Sequence, residues 1–253
     1  IKSIDGGLNW TATTLTNASY TGTAYDIAVS PSDPNTVVAR WGDKIYRTTD
    51  GGTSWTSIVS GLPNYYLVGD CSVNSEMLDW STTNAATVYF ISTTNNNVST
   101  VYRSTDSGQS FSILSTITLD PTATGQVIGW AKLLLPSNNA TSIYVAMGTG
   151  ANSYGHQAVQ LYKLNASTGS QELKRVNMIS GTFPDQVHHG DIAMDRNDET
   201  KIVFGAYSHN VNYYSKNNGV SFSKSTTQQH SDLRSFDMIN GRVLIGSDGE
   251  SVL

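Results

Sequence analysis

The 253-residue sequence predicts an all-β fold, a β-propeller of four-stranded antiparallel blades, on three observations. Its composition suits strands and turns, one glycine-aspartate turn recurs along it, and two strand patterns recur in phase with that turn. Only 14% of residues are charged, against about 25% in ordinary soluble domains, so the polarity rests on 32 Ser, 29 Thr and 20 Asn. Hydroxyl and amide side chains suit strands and turns better than helix faces. The length allows one large all-β core.

The turn reads SIDGGLNW from Ser3 to Trp10, TTDGGTSW from Thr48 to Trp55, STDSGQSF from Ser104 to Phe111 and SKNNGVSF from Ser215 to Phe222. Four positions define it: a hydroxyl (Ser3, Thr48, Ser104, Ser215), an Asp or Asn (Asp5, Asp50, Asp106, Asn217), a glycine (Gly7, Gly52, Gly108, Gly219) and an aromatic (Trp10, Trp55, Phe111, Phe222). The aromatics lie 45, 56 and 111 residues apart, so a degenerate copy belongs in the middle of the last interval. Residues 165 to 169 fit it, because the preceding Leu161 to Leu164 (LYKL) matches Val101 to Ser104 (VYRS) and Ile45 to Thr48 (IYRT).

One strand pattern precedes each turn, at Thr36 to Ala39, Thr87 to Phe90, Ile143 to Ala146, Ile202 to Gly205 and Val243 to Gly246. Another lies upstream of it, at Asp26 to Val29, Met77 to Trp80, Lys132 to Leu135, Asp191 to Met194 and Leu233 to Phe236. With the strands flanking each turn, every unit holds four strands, the signature of a propeller blade. The units run over about 25–60, 76–116, 130–177 and 190–226, with a half blade at 1–15 and another at 232–253. A single four-stranded sheet cannot bury both faces, so blades must stack, and Ile27, Val29, Leu133 and Leu135 are expected in the layers between them. In each turn, glycine supplies a positive φ, aspartate accepts backbone N–H groups and the aromatic packs over the hairpin.

These segments resemble the Asp-box, or BNR, repeat (Ser/Thr-x-Asp-x-Gly-x-x-Trp/Phe) of sialidases, the sortilin/Vps10 family, family 74 xyloglucanases and secreted bacterial propellers. The resemblance implies a structural role for the box, on the outer part of the blade and away from the channel where ligands bind. The two half blades imply either a five-bladed ring closed by a composite blade or a segment of a larger propeller. The second reading is preferred, because Gly246 to Gly249 followed by Val252 and Leu253 reads as a repeat stopped part-way.

A formal charge of -5 with scattered basic residues argues against a nucleic-acid or anionic-membrane surface, and no apolar run is long enough to cross a bilayer as a helix. The longest, Val127 to Leu135, is interrupted by Lys132 and reads as a buried strand. The single cysteine, Cys71, excludes an internal disulfide framework and reads as a buried apolar filler.

Propeller ligands meet the innermost strands, and two adjacent units share a motif there: His188-His189-Gly190-Asp191 and His230-Ser231-Asp232. In each, His and Asp are two apart and project to one side of a strand. His189, Asp191, His230 and Asp232 are therefore the ligand or metal candidates, a divalent cation being the one cofactor they suggest. A hydrogen-bonded brace between adjacent blades is the preferred reading of the same residues. A hydrolase would need two facing carboxyl groups, with candidates Asp26, Asp70, Glu76, Asp79, Asp191 and Asp232, and no spacing singles out a pair. Trp41, Trp80, Trp130, Tyr65 and Tyr66 offer flat faces for sugar stacking, with packing between blades as the plainer role of each. The sequence reading is a non-catalytic recognition or scaffold module, extracellular or on a bacterial cell surface, binding a glycan or protein as part of a longer polypeptide. A xyloglucanase-like glycoside hydrolase and a sortilin-like peptide binder are the alternatives.

Overall fold

A computed structural model describes residues 1–15, 24–41, 44–58, 78–95, 98–120, 127–152, 155–175, 190–206, 212–224 and 233–247. The described residues hold eighteen strands, β1 to β18, and no helix, so none is long and apolar enough to cross a membrane. Four sheets have four antiparallel strands each, joined in chain order. The first contains β1 (Ala24–Val29), β2 (Val37–Trp41), β3 (Lys44–Thr48) and β4 (Thr56–Ile58). The second contains β5 (Leu78–Trp80), β6 (Val88–Asn95), β7 (Val98–Ser104) and β8 (Ser112–Thr118), and the third β9 (Val127–Leu134), β10 (Ser142–Asn152), β11 (Gly155–Asn165) and β12 (Gln171–Arg175). β13 (Gly190–Asp195), β14 (Asp198–Ala206), β15 (Asn212–Ser215) and β16 (Ser223–Lys224) form the fourth; β17 (Leu233–Ile239) and β18 (Arg242–Ser247) form a two-stranded fifth. Lys2 and Thr11 make an isolated antiparallel bridge ahead of them all.

One register runs through every sheet. Val29 faces Val37, Trp80 faces Val88, Met194 faces Ile202 and Met238 faces Val243. Alternate residues of the first strands therefore point to opposite neighbours, the period-two geometry of a strand. Leu78 and Trp80, Leu133 and Leu135, Ile192 and Met194, and Phe236 and Met238 are all nine-tenths or more buried. Ile27 and Val29, the matching pair on β1, are 62% and 51% exposed, contrary to the expectation that they fill a layer between blades. The physical reason is that no first or second strand precedes β1 among the described residues, so nothing described covers that face.

The recurrent turns share one hydrogen-bond pattern, and all of it is local. The Thr48 hydroxyl donates to Asp50 Oδ1 (2.7 Å) and accepts the Gly52 N–H (3.0 Å), while Asp50 Oδ1 accepts the Ser54 N–H (2.8 Å). Ser3, Asp5 and Gly7 repeat it, as do Ser104, Asp106 and Gly108. Ser215, Asn217 and Gly219 do so with an amide, whose Nδ2 donates to the Ser221 hydroxyl where the Asp50 carboxylate accepts from that of Ser54. Two successive residues per turn are left-handed, Gly51 and Gly52 at φ 65° and 87°, Ser107 and Gly108 at 61° and 80°. The Trp55 ring lies 3.6 Å from where a Cβ on Gly52 would sit, so the aromatic closes directly over the glycine.

These bonds make the turn carboxyls strongly acidic. The Asn9 N–H brings Asp5 down to about 2, and bonds from Ser110 and Ser104 bring Asp106 to about 2 against an opposing push from burial. Asp50 is lowered as well, chiefly by the Ser54 hydroxyl. A carboxyl more acidic folded than unfolded stabilises the fold fully above its unfolded value near 4, and that stabilisation is lost as pH falls towards 2. The melting temperature of the protein is accordingly expected to drop between about pH 4 and pH 2. Asp106→Asn should copy the Asn217 turn, shift the midpoint at pH 7 by no more than about 2–4 °C, and flatten the acid limb. Thermal unfolding of both proteins across that range checks this; an acid limb of unchanged steepness would refute it.

A basic side chain ahead of each of the first three turns ties that turn to the next sheet. Lys2 Nζ donates to the Gly51 carbonyl (2.9 Å), Arg47 Nε to that of Ser107 (2.7 Å) and Arg103 Nη1 to that of Ala166 (2.6 Å). In the fourth turn Tyr214 takes the place of the basic residue, and the preceding Lys163 pairs with Glu199, which also accepts from Asn139 and the Tyr144 hydroxyl. The sheets thus follow one another through equivalent contacts, with their first strands side by side: β1 against β5, β9 against β13, and β13 against β17.

Candidate functional site at the cavity between the first strands

The register places Asp26, Lys132, Asp191 and Ser235 at one equivalent position on four first strands. On two of these strands the side chain clamps the next sheet. Asp26 Oδ1 accepts its neighbour Ile27 N–H (2.8 Å) while Oδ2 reaches across to accept the Leu78 N–H (2.8 Å). Asp191 does the same with Ile192 (2.8 Å) and Phe236 (2.6 Å), and its Oδ1 also accepts from Lys132 Nζ at 2.9 Å. Lys132 and Asp191 are both almost fully buried, at 4% and 3% exposure, so the ion pair has lost its water and rests on this paired geometry. One residue therefore ties the third, fourth and fifth sheets together. Asp195, wholly buried, adds a second staple by accepting the N–H groups of Asn197, Asn240 and Gly241.

Beside this knot lies a cavity of about 580 Å³ whose wall comes from the first strands of the second to fifth sheets and from β18. Leu133, Leu135, Met194, Phe236 and Leu244 make it apolar; Asp79, Arg196 and Asp237 bring charge. Asp79 and Asp237 occupy the same register position, opposite Tyr89 and Leu244 respectively. Each aims Oδ1 at the next backbone N–H, Trp80 at 2.7 Å and Met238 at 2.8 Å, which fixes the carboxylate on the strand. The lining thus carries the carboxylates of Asp79 and Asp237 together with the Arg196 guanidinium and the Lys132 ammonium, the last engaged by Asp191. Such a site suits a ligand that presents polar groups along an apolar body.

Of the residues singled out from sequence, Asp191 lies at the knot, engaged through both oxygens. His188, His189, His230 and Asp232 lie outside the described residues, as do Asp70, Glu76, Tyr65 and Tyr66. Asp26 serves as the other clamp, while Asp79 lines the cavity, where Asp237 joins it although sequence reasoning passed Asp237 over. The matching apolar-Asp-apolar triplets Leu78-Asp79-Trp80 and Phe236-Asp237-Met238 are the signal that would have found Asp237. Trp80 is 3% exposed and donates its indole N–H to the Ala85 carbonyl, which makes it core and not a sugar platform. The turn residues Asp5, Asp50, Asp106 and Asn217 bond within their own hairpins. Among the described residues no group of three or more His, Cys, Asp or Glu side chains is arranged to hold a metal ion.

No protein-family model matches the chain, and no curated protein matches it. Solved structures do. YCF48 bound to D1 peptide superposes with a TM-score of 0.53 at 15% identity, over 90% of this chain and 61% of that one. YCF48 from Cyanidioschyzon merolae gives 0.53 at 15% identity over 89% and 64%, and the Dos1 propeller 0.53 at 15% over 89% and 53%. The chain spans less than two-thirds of the length of each. Together with the successive four-stranded antiparallel sheets, these likenesses show that the chain has the β-propeller fold.

Proposed function

We propose that this chain is a non-catalytic recognition or scaffold module, an Asp-box propeller of the cell surface or exterior, and that the cavity between Asp79 and Asp237 takes an extended peptide or glycan segment. The observation that carries the reading is the pairing of an apolar wall with two strand-fixed carboxylates in one cavity. Four turns with one bond pattern support the Asp-box assignment, and the low-charge, Ser/Thr/Asn-rich composition suits an exterior setting. Asp26 and Asp191, two of the carboxylates a hydrolase reading has to draw on, are instead held by backbone N–H groups of adjoining sheets. A peptide ligand is preferred over a glycan. YCF48, which shares the fold, was solved with a peptide.

Calorimetric titration with a panel of basic, neutral and acidic peptides, and with plant and host polysaccharides, tests this. Peptides should bind more tightly than the polysaccharides, and that binding should fall at least about tenfold in the Asp79→Asn, Asp237→Asn double variant, as expected for the loss of charge-assisted hydrogen bonds. Release of reducing sugar that disappears in the same variant would replace the binding reading with the hydrolase, with Asp79 and Asp237 as its carboxyl pair.

A further inference from the structure

Two Asn-Gly dipeptides occur in the sequence, Asn218-Gly219 and Asn240-Gly241, and in both the asparagine is left-handed, at φ 59° and 51°. Asparagine followed by glycine is open to spontaneous ring closure, because glycine has no side chain to hinder its own backbone nitrogen. That nitrogen gives its proton to solvent base and bonds to the asparagine Cγ, while Nδ2 leaves as ammonia. Water then opens the five-membered imide at either carbonyl, and the product is aspartate or isoaspartate. No electrons change hands, and water is the one co-reactant.

The fold holds the two dipeptides differently. At Asn218 the leaving group is engaged: Nδ2 donates to the Tyr144 hydroxyl (3.1 Å) and to the Glu199 carbonyl (3.4 Å). Gly219 is buried, a Cβ there would sit 2.3 Å from Leu161, and its N–H donates to Ser215 Oγ (2.9 Å). Asn240 and Gly241 are exposed and form the two-residue turn between Ile239 and Arg242. Asn240 Oδ1 accepts from Asn197 Nδ2 (2.8 Å), while its own Nδ2 donates to nothing among the described residues. The restraint falls instead on the nucleophile, since Asp195 accepts the N–H groups of both Asn240 and Gly241.

We infer that Asn240-Gly241 is a site of self-modification to isoaspartate, that Asp195 sets its pace by holding the Gly241 nitrogen, and that conversion loosens the β17–β18 wall of the cavity at this staple. Ring closure proceeds when the turn opens and the nitrogen leaves Asp195. Isoaspartate then carries the main chain through Cβ and Cγ, so a turn built for two residues gains a backbone atom. The N–H groups of positions 240 and 241 no longer meet Asp195 together, and a wholly buried carboxylate keeps only the Asn197 N–H of its three donors. Phe236, Asp237 and Ile245, on the two strands that the turn joins, line the cavity. The inference does not depend on what the cavity binds.

Incubation of the 253-residue chain at mildly alkaline pH, with peptide mapping by mass spectrometry and an enzymatic isoaspartate assay, decides the matter. In the folded protein Asn240 should convert at least about tenfold faster than Asn218, and in concentrated urea the two rates should converge, because the dipeptides are the same. Asp195→Ala, with its fold checked by thermal unfolding, should speed conversion at Asn240 at least about tenfold, as the loss of two hydrogen bonds to a carboxylate implies, and leave Asn218 unchanged. The converted protein, separated by ion exchange, should unfold at lower urea than the parent. Asn218 converting as fast as Asn240 in the folded chain, or Asn240 intact where urea converts both, overturns the inference. A rate at Asn240 indifferent to Asp195→Ala, or a converted protein as stable as the parent, overturns it equally. Should Asp195→Ala fail to fold, the comparison of the two dipeptides in the unsubstituted chain decides alone.

Discussion

Asp191→Leu is expected to destabilise the protein by about 3–5 kcal/mol, the usual consequence of removing one partner from a buried ion pair. The substitution takes the carboxylate from Lys132 and leaves the Phe236 N–H, which it accepted across the sheet boundary, without its acceptor. Asp26→Leu should cost about 1–3 kcal/mol through the loss of its bond to the Leu78 N–H across the sheet boundary. Converting Lys132 and Asp191 together to Met and Leu should recover part of the loss, since an apolar pair of similar volume replaces the ions. Urea denaturation of the three variants reads this directly. Equal losses for Asp191→Leu and for the Lys132→Met, Asp191→Leu double variant would show that the stranded ammonium adds nothing beyond the lost backbone clamp.

The second large effect is expected at Gly169, in the degenerate turn. Gly169 is left-handed at φ 71°, and a Cβ there would sit 1.9 Å from the Leu114 carbonyl oxygen, a backbone atom that cannot swing aside. The approach is close because this turn is stitched to β8. Ser115 Oγ donates to the Gly169 carbonyl (2.8 Å), and Gln171 Nε2 donates to the Thr116 carbonyl (2.6 Å). Gly169→Ala thus combines an unfavourable backbone region with a collision between the second and third sheets, about 2–4 kcal/mol in total. Gly6→Ala is the control. Gly6 has nearly the same φ, 72°, but nothing lies within 4 Å of its Cβ position, so only the conformational part, about 1 kcal/mol, should appear. Similar losses at the two sites would mean that the turn at 165–169 does not touch β8 in solution.

Local chemistry was legible in the sequence, and contacts between sheets were not. The bonds of a turn such as Thr48 to Trp55 span four residues or fewer, so the residue types reveal them, and strand patterns at fixed spacing imply four-stranded antiparallel sheets. The Asp26 to Leu78 bond spans 52 residues and the Asp191 to Phe236 bond 45, and nothing in either segment names the other. Lys132 looked like a break in an apolar run; it is buried because Asp191 on the next sheet neutralises it. The Tyr-Arg pairs before the turns were visible only as repeated strand residues, although Arg47 and Arg103 fasten each sheet to the following turn. Asp237 escaped notice because Phe-Asp-Met is ordinary strand alternation, and its importance comes from sharing a register position with Asp79 across the cavity.

The central claim is that carboxylates at one equivalent position of two first strands, Asp26 and Asp191, each hold their sheet to the next. Amide hydrogen exchange followed by NMR at Leu78 and Phe236 tests it most directly. Both N–H groups should exchange slowly, with Leu78 losing protection in Asp26→Ala and Phe236 losing it in Asp191→Ala, each without the other. Fast exchange of both amides in the unsubstituted protein, or protection indifferent to the two substitutions, would contradict the arrangement.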